Sequence, residues 1–122
     1  MAHIEKFNII KPYQHGFLKK HSCETQLLNT IEEIIRHFDQ GSKRQIDVQI
    51  LDFSKAFDTV AHQRLLHKLS KYGISGKTLN WIQYWLTNRN QCVIVDGEIS
   101  KTAKVTSGVS QGTVLGPLMF LV

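Results

Sequence analysis

The chain has 122 residues, enough for one domain with a real core and too few for two. Its 42% hydrophobic and 20% charged content is that of a globular chain and excludes disordered, collagen-like and coiled-coil classes. The formal charge of +5, with a sequence pI near 9.4, fits a polyanionic partner, but Lys and Arg are scattered along the chain and, before any motif is considered, read first as a solvated surface.

Cys23 and Cys92 form no Cys-x-x-Cys pair, which excludes the usual zinc spacings and a disulfide framework and points to a reducing compartment. "MAHIEKFNII" lacks the pattern of a signal peptide, and the longest apolar stretch, "VLGPLMFLV", is too short to span a bilayer. The expected location is intracellular, in nucleus or cytoplasm, with no membrane partner and no protein partner indicated. A chain ending on its most apolar segment reads as cut from a longer one.

In chain order, Ser22 is the expected N-cap of a helix to about Gln40. Leu27, Leu28, Ile31, Ile34, Ile35 and Phe38 fall at helical spacing, with Gly41 as the C′ residue. "GSKRQ" is a polar connection. "IDVQILDF", rich in β-branched residues, reads as a strand. Leu65, Leu66 and Leu69 mark a second helix closed by Gly73. Leu79, Ile82, Trp85 and Leu86 mark a third, from about Lys77 to Asn88. In "QCVIVDGEISKTAKV", Asp96-Gly97 supplies the positive φ values of a type I′ hairpin turn. "SGVSQGTVLGPLMFLV" starts as a glycine-broken loop and becomes helical, with Gly116-Pro117 near the first turn. The expected fold class is α+β, with a mixed or antiparallel sheet covered by helices on one face.

In "LDFSKAFDTV" the two aspartates differ. Ile46, Val48, Ile50 and Asp52 share one strand face, so the carboxylate continues an apolar stripe. It is then partnered or metal-bound, or the strand has ended and Asp52 is a solvated turn residue. Asp58 precedes "TVAHQRLLHKL" and is expected to cap that helix or pair with Lys55 or His62.

"SGVSQGTVLG" matches neither the phosphate-loop nor the dinucleotide pattern; its glycines permit a close backbone approach or simply a flexible turn. His62 and His67 are five apart, with no His-x-x-x-His pair to bind zinc. Ser54 and Ser110 lack a Gly-x-Ser-x-Gly elbow. Trp81 and Trp85, one helical turn apart, are expected in the core rather than as a base-stacking platform.

"QHGFLKKHSCETQLL", "LDFSKAFDTVAHQRLLHKL", "GISGKTLNWIQYWLTNRNQCVIVDGEIS" and "SGVSQGTVLGPLMFLV" occur in one order. Together they resemble the reverse transcriptase domain of non-LTR (LINE-type) retrotransposons, from about Tyr13 to Val122. The resemblance implies residues 1–122 are a fingers-and-palm fragment of a polymerase that copies an RNA template from a DNA primer, using dNTPs and two Mg²⁺ ions. It makes Asp52 the catalytic metal ligand, with the backbone carbonyl of Phe53 beside it. Phe57 becomes the ring beneath the incoming sugar, a core phenylalanine being the alternative. Gln111 and Gly112 fall in the nucleotide-binding loop, and Lys19, Lys20 and Arg89 are phosphate contacts.

The chain departs from that pattern where the family commonly has arginine at Leu18, glycine at Lys20 and proline at Ser110. It carries neither the upstream fingers segment nor the downstream aromatic-x-Asp-Asp hairpin, and is expected to be inactive alone. The alternative is a non-catalytic nucleic-acid-binding remnant, and a third reading is a fragment unable to fold by itself.

Overall fold

Apolar spacing in the sequence becomes helix where a partner face covers it, and less regular structure elsewhere. The computed structural model describes residues 2–39 and 45–122. In chain order the elements are α1 (Ala2–Lys6), α2 (Cys23–Asp39), α3 (His62–Lys71), α4 (Gly76–Thr87), β1 (Asn90–Gln91), β2 (Ile94–Val95), β3 (Glu98–Ile99), β4 (Ala103–Lys104) and α5 (Leu115–Leu121). The chain divides into one unit of Met1–Ile9 with Ser54–Val122 and a second of Ile10–Phe53.

The first unit is organised by α3 packed on α4. Leu65, Leu66 and Leu69 are buried on α3, and Ile82 and Leu86 on α4. Leu69 and Leu86 are wholly inaccessible, and burying such a side chain stabilises by roughly 1.5–3 kcal/mol. Val109, Met119, Val122 and Ile4 add to the same unit's buried apolar residues. The chain leaves α3 as expected, with Ile74 donating to the Leu69 carbonyl at 3.0 Å. Trp85 is half-buried, but Trp81 is 56% exposed and is not a core residue, because Ile82 and Leu86 form the buried stripe of α4. α1 had no periodicity to announce it: Ile4 is buried and His3 Nε2 lies 2.7 Å from the Tyr72 carbonyl.

Asp96 and Gly97 adopt φ of 51° and 86°, the two positive values a type I′ turn needs. They join β2 to β3 with Val95 opposite Glu98, and β1 pairs with β4 farther from the turn. All four strands are exposed, so the antiparallel pairing is as expected but no helix covers it among the described residues. The class is α+β. α5 begins at Leu115 with Pro117 in its first turn. Thr113 Oγ1 accepts from the Gly116 amide at 3.0 Å and donates to the Ser110 carbonyl at 2.9 Å.

In the second unit, Ser22 and Thr25 cap α2 reciprocally: Thr25 N–H donates to Ser22 Oγ at 3.2 Å, and Ser22 N–H to Thr25 Oγ1 at 2.9 Å. No side chain of α2 is buried, and Leu27, Leu28, Ile35 and Phe38 are exposed. The segment read as a strand forms no ladder among the described residues, and Ile50 and Leu51 are about nine-tenths exposed. A strand needs a neighbour for its N–H and C=O groups, and the hairpin of β1–β4 pairs only with itself. Of the two expected alternatives, mixed or antiparallel, the described residues form only antiparallel pairs. Gln40, Gly41 and most of "GSKRQ" lie outside the described residues.

Candidate nucleotide and nucleic-acid site

The site is built where two chain segments of the first unit lie side by side. Lys55 starts a tight turn, accepting from the amides of Asp58 (2.9 Å) and Thr59 (3.1 Å). The following residues offer their carbonyls to the loop before α5. Val109 N–H donates to the Phe57 carbonyl and Gly108 N–H to the Val60 carbonyl, each at 2.8 Å. Ser107 Oγ donates to the Asp58 carbonyl at 2.9 Å. This approach demands glycine at 108: φ is +86°, and a Cβ there would lie 2.8 Å from the Asp58 oxygen and 2.9 Å from its Cα.

The other side of Gly108 is held by side chains. His62, the first residue of α3 and buried, places Nε2 2.8 Å from the Gly108 carbonyl. The acceptor is a carbonyl, so that nitrogen carries the proton. Arg89, just beyond α4, donates from Nη2 to the same oxygen at 2.8 Å and from Nη1 to Ser110 Oγ. Its Nε reaches the Leu86 carbonyl at 3.3 Å, and the guanidinium lies 5.6 Å from the Trp85 ring centre.

These contacts border a surface cleft of about 680 Å³. Lys55, Arg89 and Lys104 line it with Asp58 and Gln111, so three cations face one carboxylate. Such a cleft favours a polyanion or phosphate. The sequence did not reveal it, because the lysines at 55 and 104 are remote along the chain and converge only through the hairpin and the 107–111 loop. His62 and Ser110 were likewise legible as residue types but not as partners of one loop.

The expected site residues fall in both units. In the first, Arg89 and Gln111 line the cleft, and exposed Gly112 follows it. Phe57 is half-buried and stacks on Phe120 with ring centres 4.9 Å apart. Asp58 does not cap α3: the N-cap is Ala61, three residues later, because the turn from Lys55 intervenes. Nor does its carboxylate form an ion pair with Lys55 or His62 among the described residues. In the second unit, Lys19, Lys20, Asp52 and Phe53 are all exposed.

Two Mg²⁺ ions need several converging hard oxygen ligands. Among the described residues no three His, Cys, Asp or Glu side chains are grouped to hold a metal. The donors present do not fit a two-ion site. No described helix is long and apolar enough to cross a membrane.

The family model for reverse transcriptase (RNA-dependent DNA polymerase) matches residues 1–122. The chain belongs to the reverse transcriptase family. This reverse transcriptase domain is 32% identical over 96% of its length to a probable RNA-directed DNA polymerase from transposon X-element of Drosophila melanogaster. It is 31% identical over 91% to the RNA-directed DNA polymerase from mobile element jockey of Drosophila funebris. A third relative, the Pol polyprotein from type-1 retrotransposable element R2 of Popillia japonica, is 32% identical over 61%. These are the non-LTR, LINE-type relatives that the motif order indicated. The chain covers 13%, 12% and 12% of the length of those proteins, respectively. No solved structure matches it.

Proposed function

We propose that this chain is the part of a retrotransposon RNA-directed DNA polymerase that carries the first metal carboxylate and the nucleotide-binding loop. The supporting observation is the hydrogen-bonded pairing of "AFDTV" with "SGVSQG", which sets Phe57 and the Gln111 loop in one unit beside a basic cleft. The substrates of the complete polymerase are a dNTP and a primer 3′-hydroxyl on an RNA template. In the complete polymerase, Asp52 and the Phe53 carbonyl would supply only part of the donor set for divalent ions. The Phe57 ring lies beneath the sugar and excludes a 2′-hydroxyl, while Gln111 and Gly112 approach the nascent pair. Lys19 and Lys20 contact backbone phosphates, and the protein works in nucleus or cytoplasm.

These 122 residues by themselves are catalytically inactive, because among the described residues no three His, Cys, Asp or Glu side chains are grouped to hold a metal. Incubation with a primed RNA template, dNTPs and Mg²⁺ is expected to give no extended primer. Extension lost on Asp52→Asn would overturn the claim of inactivity. Three cations around the cleft favour a second reading, a nucleic-acid-binding remnant without catalysis. It requires salt-sensitive binding to a primer–template duplex, and no binding at low salt would remove it.

A further inference from the structure

We infer that His62 and Arg89 are positioning residues, forming a two-donor clamp on the Gly108 carbonyl that sets the Gln111 loop against the 57–60 segment. A carbonyl oxygen has two lone pairs, and here two side chains from different elements occupy them, each at 2.8 Å. The amide side of the loop is committed in the opposite direction, with Gly108 and Val109 donating to Val60 and Phe57. One short loop is thus pinned from both sides, with Gly108 and Val109 buried between.

Arg89 is suited to this role by its planar fork. One terminal nitrogen takes Gly108 O and the other Ser110 Oγ, so a single rigid group brackets Val109. The fork is itself fixed by the Leu86 carbonyl and the Trp85 ring at the C-terminal end of α4, where a cation is favoured. A lysine would keep the charge and lose the bracket. His62 contributes from the start of α3, so the clamp joins both packed helices to the loop. Arg89 therefore serves the loop with its donors rather than a phosphate with its charge. That the positioned residue is a nucleotide contact rests on the proposed polymerase function; the clamp itself does not.

Amide hydrogen exchange on the 122-residue chain tests it, with salt-dependent binding to a primer–template duplex as a second readout. Arg89→Lys is expected to speed exchange at Gly108 and Val109 about tenfold, as for loss of a hydrogen bond to a charged group, while Leu69 stays protected. It should weaken duplex binding as much as Arg89→Gln does, with the salt slope unchanged. A phosphate-contacting Arg89 would instead tolerate lysine and lose about one unit of slope in Arg89→Gln, which would overturn the proposal. His62→Gln supplies an N–H donor and should keep the protection that His62→Leu loses; equal exchange in the two also overturns it. Ser110→Ala removes the acceptor that aligns the Arg89 fork on the Gly108 carbonyl, and covers a donor variant that loses Leu69 protection too. Faster exchange at Val109 in Ser110→Ala supports the clamp, and unchanged exchange contradicts it. A chain that binds no duplex sinks the nucleic-acid reading, while the exchange data still decide the clamp.

Discussion

Phe57 and Phe120 stack with ring centres 4.9 Å apart and planes 27° from parallel, tying the turn after Lys55 to the last helix. This is the ring proposed to lie beneath the incoming sugar, and the stack limits how far it can swing. Phe57→Ala should destabilise the first unit by roughly 2 kcal/mol, less than a wholly buried phenylalanine would cost. Phe120→Ala should cost a similar amount. In a double-mutant cycle by urea unfolding the two should couple by about 0.5–1.5 kcal/mol. Strict additivity would show that the contact carries no energy.

Gly108→Ala meets backbone on one side and a positive φ on the other. The Asp58 carbonyl and Cα that the new methyl would strike cannot rotate away as a side-chain tip can. A loss of roughly 2–3 kcal/mol is expected, with the 107–111 loop displaced from Phe57 and Val60. Gly112→Ala has open space around its Cβ and only the φ penalty, so it should cost less, about 1 kcal/mol. Thermal melts of the two variants give the comparison; equal losses would contradict the crowding at 108.

Lys20 has φ of 63°, in the left-handed region where a side chain costs about 1–2 kcal/mol. It is also a position where glycine is the expected residue of the family. Lys20→Gly should raise the stability of the second unit by up to about 1 kcal/mol, some of the relief being returned as unfolded-chain entropy. The urea midpoint of the helical circular dichroism signal reads it out. A lowered midpoint would mean that the lysine is not strained.

The Ser22 hydroxyl, followed by the residue's own backbone N–H, holds the Glu24 carboxyl below its ordinary pKa. A folded-state value below the unfolded one means that the unfolded chain binds the proton more readily. The contribution is present above the ordinary carboxylate range and lost as pH falls through the depressed value. The helical signal of α2 should therefore decline on acidification, and Ser22→Ala should flatten that decline while lowering helicity at neutral pH. An unchanged acid profile in Ser22→Ala would show that the hydroxyl is not the cause.

The sequence by itself determined what depends on near neighbours. The helices at 62–71 and 76–87, the Ser22 cap, the Asp96-Gly97 turn and Pro117 in the first turn of α5 each follow from spacing or backbone preference within a few residues. Motif order was enough to indicate the family. Tertiary structure decided everything that needs a distant partner. "IDVQILDF" has strand composition, yet it forms no ladder among the described residues, because a ladder needs hydrogen bonds from a partner strand that local sequence does not supply. Asp58 looks like a cap, but the turn from Lys55 moves the helix start beyond it. Trp81 has core spacing, but α4 turns it outward. Arg89 was expected from the resemblance as a phosphate contact, and the structure gives its guanidinium hydrogen bonds to Gly108, Ser110 and Leu86. Hydrogen-bond partners 19 and 46 residues apart meet at one carbonyl only after α3 and α4 have packed, and local sequence carries no record of that meeting.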